Sequence, residues 1–171
     1  MFRHKRILYL GSITLLLLSG LMFVANTKLV PTAHAASCNS VATGSWSNNC
    51  TVSEGNISNF VYAIQLTIDE SKTPCGANTD GNFGPQTFTA VKCFQKAEGF
   101  PPDEQDGIVG PMTWGALFGT LTHDHDAGGW DYYHGQIYTT VDFRKFASSG
   151  IWYVHVISPS HWCQMNLNSP C

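Results

Sequence analysis

Five histidines crowd the last third of the chain, His123, His125, His134, His155 and His161, and the first two alternate with Asp124 and Asp126. Imidazoles and carboxylates at His-x-His spacing are competent zinc ligands, and zinc-bound water is a hydrolytic nucleophile. The patterns that normally frame such a site are missing. Neither Ser-x-His-x-x-Gly-x-x-x-Asp nor His-Glu-x-x-His occurs in the sequence. The stretch holding the histidines, about 50 residues, is also too short for the catalytic domains built on those patterns. A Gly-flanked His-Asp-His-Asp segment is expected to be a solvated polar linker. Asn78-Thr79-Asp80-Gly81 resembles the start of a calcium loop, but the later bidentate glutamate is absent. There is no Gly-x-Ser-x-Gly elbow either. No catalytic residue, metal ligand or cofactor is assigned.

The six cysteines, Cys38, Cys50, Cys75, Cys93, Cys163 and Cys171, are an even number in a short chain. Such a set reads as three disulfides formed in an oxidising compartment, and a paired thiol is no nucleophile. Six cysteines allow 15 connectivities; pairing nearest neighbours (38–50, 75–93, 163–171) is the simplest. Each short loop so closed contributes on the order of 3 kcal/mol.

The N-terminus supports that compartment. Arg3, His4, Lys5 and Arg6 precede an apolar run from Leu8 to Ala25, and Ala33-His34-Ala35 offers small residues for cleavage after Ala35. Residues 1–35 read as a signal peptide, with retention as a membrane anchor the alternative. The chain carries 9 Lys+Arg and 12 Asp+Glu. Cleavage removes Arg3, Lys5, Arg6 and Lys28, leaving five basic residues against twelve acidic ones, a net charge of −7. That charge disfavours nucleic acid, anionic membranes and phosphate-rich polymers as partners.

The elements that must position any site follow from periodicity. Residues 36–56 form a polar leader tied by Cys38 and Cys50, with Trp46 its one large anchor. Ser58 is a candidate N-cap for a helix in which Phe60, Val61, Ile64 and Ile68 share a face. Gly84-Pro85 launches a second helix that buries Phe88, Val91 and Phe94 and ends at Gly99. Gly110-Pro111 launches a third that buries Trp114 and Leu117 and ends at Gly119. The two launches belong to a repeat: Asp80-Gly-Asn-Phe-Gly-Pro-Gln-Thr87 returns 26 residues later as Asp106-Gly-Ile-Val-Gly-Pro-Met-Thr113. In each copy Asp-Gly makes a turn, Phe83 or Val109 plugs the core, and Gly-Pro starts the helix. Beyond Leu121 the pattern is strand-like, with Gln136–Phe143 and Ile151–Ile157 as two strands. Trp130, Tyr132, Tyr133, Tyr138, Trp152, Tyr153 and Trp162 crowd this tail; they either build a small core or stack on sugar faces.

The repeat, with Ile64-Gln65 before it, Ala90-Val-Lys-Cys-Phe-Gln95 within it and Trp114 closing it, resembles the peptidoglycan-binding domain family of wall hydrolases and related exported proteins. The resemblance runs from about Ile57 to Gly119. It implies a three-helix peptidoglycan-binding-like module stapled by disulfides and covers nothing after Gly119. With the rest of the chain read from its residues, the expectation is a mainly α protein with an appended β-rich tail, divided into signal 1–35, leader 36–56, module 57–119 and β-rich aromatic segment 120–171. The implied partner is peptidoglycan, met on the shallow surface flanked by the two Asp-Gly turns through Asp80, Asn82, Asp106 and the edge of Trp114. The expected function is that of a secreted, non-catalytic wall-binding protein. The alternatives are a small zinc-dependent peptidoglycan hydrolase using the C-terminal histidines, and a scaffolding or inhibitory partner of an exported enzyme.

Overall fold

Ser58 caps the first helix as its sequence position requires: its hydroxyl accepts from the Val61 N–H at 3.4 Å. Helix α1 spans Asn59–Asp69. Helices α2 (Pro85–Ala97) and α3 (Pro111–Gly119) both begin with proline at the first helical position, behind glycines in near-identical extended conformations. The computed structural model describes residues 38–73, 75–140, 142–156 and 161–168. The signal segment, Cys171 and the third cysteine pairing lie outside them. Cys38–Cys50 and Cys75–Cys93 are bonded, and Cys163 is disulfide-bonded as well. Among the described residues no helix is long and apolar enough to cross a membrane.

After α3 the chain forms a five-stranded antiparallel sheet in sequential order: β1 (Thr122–Ala127), β2 (Trp130–His134), β3 (Phe143–Phe146), β4 (Trp152–Val156) and β5 (His161–Gln164). The fold is therefore three helices with a full sheet, which corrects the mainly α expectation. The expected His-Asp-His-Asp linker is strand β1. Its residues are all exposed, so no hydrophobic alternation marks it. What makes it a strand is the two-residue turn that returns it to β2: Gly128 and Gly129 sit at φ 60° and 82°, the conformation a tight hairpin demands. The expected strand over Gln136–Phe143 starts late, at Phe143. The N–H groups of Gln136 and Ile137 instead donate to the Glu70 carbonyl at 2.9 and 3.0 Å, which holds that segment on the end of α1.

One core serves all three parts of the chain. Trp46, from the leader, is fully buried. Its ring lies 5.8 Å from Trp114 of α3, 5.5 Å from Trp152 of β4 and 5.6 Å from Phe143 of β3, centroid to centroid. The leader is further laced to the C-terminal strands. Ala42 donates to the Met165 carbonyl at 2.9 Å, and the Trp152 indole N–H donates to the Gly44 carbonyl at 2.7 Å. Asn59, opening α1, donates through Nδ2 to the Gln164 carbonyl at 2.9 Å. The boundaries near 56 and 119 are changes of element type, and residues on both sides of each join one hydrophobic core.

Candidate functional site

Two buried glutamines explain why the repeat is built as it is. Gln65 of α1 turns its Nε2 toward Asp80 Oδ1 (2.8 Å), the Asn82 carbonyl (3.0 Å) and Thr87 Oγ1 (2.8 Å). Its Oε1 accepts from the N–H groups of Asp80 and Gly81, at 3.0 and 2.8 Å. Gln95 of α2 does the same for the turn 26 residues on: Nε2 reaches Asp106 Oδ1 (3.1 Å), the Ile108 carbonyl (2.9 Å) and Thr113 Oγ1 (3.1 Å), while Oε1 accepts from Gly107 N–H (2.9 Å). Each glutamine, buried with its polar ends satisfied, clamps one Asp-Gly turn to the helix it launches.

Each clamped turn leaves a notch on its outer side. The first, of about 220 Å³, is lined by Asn78, Asp80, Asn82, Gly84, Pro85, Gln86 and Thr87. The second, of about 270 Å³, is lined at equivalent repeat positions by Asp106, Ile108, Gly110, Pro111, Met112 and Thr113. Their chemistry differs. The first carries amides at Asn82 and Gln86, where the second carries Ile108 and Met112. The first also shares Asn78, Pro85 and Gln86 with a wider groove of about 780 Å³ along α2, walled by Asp69, Thr89 and the Cys75–Cys93 disulfide. Sequence reading missed this groove, although Cys75 in the loop before Asp80 was its signal.

The expected contacts are divided between the two notches and the core. Asp80 and Asn82 line the first notch, and Asp106 lines the second. Trp114 is a correction: it is fully buried and its indole N–H donates to the Cys50 carbonyl at 3.0 Å, so its edge is not offered to a ligand. Asp106 also has a structural task, since its Oδ1 accepts from both Ile108 N–H (2.8 Å) and Gln95 Nε2 (3.1 Å). Asp106→Ala is expected to cost about 1–2 kcal/mol by leaving these donors unpaired, read as a fall in urea midpoint. Asn82 differs, because its side chain has no partner among the described residues.

The histidines are dispersed across the sheet. His123 Nε2 lies 2.7 Å from Asp126 Oδ1, and His125 Nδ1 lies 2.6 Å from Asp124 Oδ2, both pairs exposed. Among the described residues no three His, Cys, Asp or Glu side chains are grouped to hold a metal ion. A cavity of about 390 Å³ does gather Asp69, Glu70, Tyr138, Asp142 and His155. Glu70 caps the C-terminal end of α1, and its Oε2 accepts from Gly135 N–H at 3.1 Å. Burial, then the hydrogen bond and negative charge of Asp142, push its carboxyl from the usual 4.5 up to about 9. Gly135 is required there, because a side chain at that position would collide with Glu70.

Residues 63–117 match the family described as putative peptidoglycan binding domain, so both glutamine clamps and both notches fall within or along that module. An uncharacterized protein in the bpoA1 3' region of Kitasatospora aureofaciens is 41% identical over 66 residues, 39% of this chain and 53% of that protein. A zinc D-Ala-D-Ala carboxypeptidase of Streptomyces albus G is 33% identical over 110 residues, 62% of this chain and 42% of that enzyme. The chain thus spans about half or less of the length of these curated relatives. No solved structure matches.

Proposed function

We propose that this is a secreted, non-catalytic protein that binds peptidoglycan through the first notch and the groove beside it. The observation that carries the reading is the inequality of the two notches. The same fold places the amides of Asn82 and Gln86 in one, where the other has the apolar Ile108 and Met112 beside Glu104 and Asp106, and the amide notch shares its lining with the larger groove. Amides pair with the N–H and C=O groups of a wall peptide without needing charge, which suits a chain as acidic as this one. Peptidoglycan as partner is supported by the family that matches residues 63–117.

Co-sedimentation with purified sacculi tests it. The parent protein is expected in the pellet at low and moderate salt, and Asn82→Ala combined with Gln86→Ala is expected to weaken retention about tenfold with an unchanged melting temperature. A parent that stays in the supernatant overturns the reading. Chelator-sensitive release of soluble muropeptides would replace it with a zinc hydrolase, the activity named for the Streptomyces relative.

A further inference from the structure

Strand alternation gives the sheet two unlike faces. Phe143, Trp152, Val154 and Cys163 point into the core and are buried. On the other face Tyr132, Arg144 and Tyr153 lie side by side in register across β2, β3 and β4, flanked by Trp130 and Trp162. These five side chains are all half-buried. The Arg144 guanidinium sits 4.1 Å from the Trp130 ring centroid and 4.3 Å from that of Trp162, with Tyr153 at 5.6 Å.

The charge on this face is held by aromatic rings and has no anionic partner among the described residues. Arg144 is the sole arginine beyond Arg6, in a chain segment with five basic and twelve acidic residues after position 35. Its neighbour Lys145 is paired, 2.9 Å from Asp131 Oδ2. Arg144 makes no hydrogen bond or ion pair among the described residues, and its Nε is buried without a partner. A planar donor fork with every donor unused matches a carboxylate. Half-buried aromatic rings grouped on one side of a sheet suit the C–H faces of pyranose sugars. A polyanion is repelled by the rest of the molecule, whereas one carboxylate per sugar pair meets one cation. We propose that the outer face of the sheet is a second binding surface, for a carboxylate-bearing saccharide that stacks on Trp130 and Trp162 and pairs its carboxylate with Arg144. The proposal shares no residue with the groove and does not rest on it.

The probes are the disaccharide of N-acetylglucosamine and N-acetylmuramic acid, with its lactyl carboxylate free, and neutral diacetylchitobiose. Calorimetric titration of the purified protein is expected to show the carboxylated sugar binding at least tenfold more tightly. Arg144→Gln should abolish that preference and leave the weak neutral binding, while Arg144→Lys retains part of it. Trp162→Ala should weaken both sugars about tenfold. The Asn82→Ala, Gln86→Ala protein should keep the preference intact. Circular dichroism melting of each variant identifies any that fails to fold, and Arg144→Lys then carries the comparison. Binding of neither sugar at millimolar concentration overturns the proposal. So does a preference that survives Arg144→Gln, one lost on changing the groove, or a triglutamate peptide that binds as tightly as the disaccharide.

Discussion

Glu70→Gln is expected to remove most of the pH dependence of stability between pH 5 and pH 9, and to leave the protein more stable than its parent at alkaline pH. In the unfolded chain the Glu70 carboxyl ionises near 4.5; in the folded protein it holds its proton up to about 9. Between these values folding takes up a proton, so stability is fully present below about pH 4.5 and is progressively lost as pH rises toward 9. The cause is local. Glu70 shares a buried site with Asp142, the Asp69 charge adds to the repulsion, and His155 lies 3.7 Å from Asp142 on the far side. A glutamine keeps the shape, donates to the Asp142 carboxylate and accepts from Gly135 N–H, but has no proton to lose. Urea denaturation at pH 5, 7 and 9 should show the parent losing stability steadily across the range and the variant losing little. A parent curve as flat as the variant's would show that the pair is not protonated.

Trp46→Ala should cost about 4 kcal/mol, a large share of the stability of a domain this size. The ring is fully buried among Trp114, Phe118, Phe143 and Trp152, so its removal opens a cavity shared by the helices and the sheet. Its indole N–H has no partner among the described residues, so Trp46→Phe gives up packing volume and no hydrogen bond. The phenylalanine variant is therefore expected to lose less than half as much. Equilibrium urea unfolding measures both, and a loss under about 1 kcal/mol for the alanine variant would mean that the leader is not part of the core.

The helical half was legible because each of its signals is local. Ser58, the two Gly-Pro launches and the Asp-Gly turns act on backbone groups within a few residues, and two of the nearest-neighbour cysteine pairs closed as expected. Strand β1 was illegible because every residue in it is exposed, so its partner strand rather than its own pattern defines it. Trp114 was read as half-available because a tryptophan's type does not reveal which edge is covered; here a carbonyl 64 residues away covers it. Glu70 looked like any acid at a helix end. Its burial depends on Gly135 and Asp142, and nothing near Glu70 in sequence announces them.

The lacing of the leader to the last strands bears on how the chain reaches its fold. Hydrogen bonds join Gly44 to Trp152 and Asn59 to Gln164, across 108 and 105 residues. A chain synthesised from its N-terminus presents Trp46 early, yet two of the four rings that enclose it, Phe143 and Trp152, arrive only with β3 and β4. Contacts of such long sequence separation make for slow folding. A fragment ending near residue 119 should therefore behave as an open, sticky chain rather than a small domain. The helical module, though it carries its own clamps and notches, depends on the sheet to be finished.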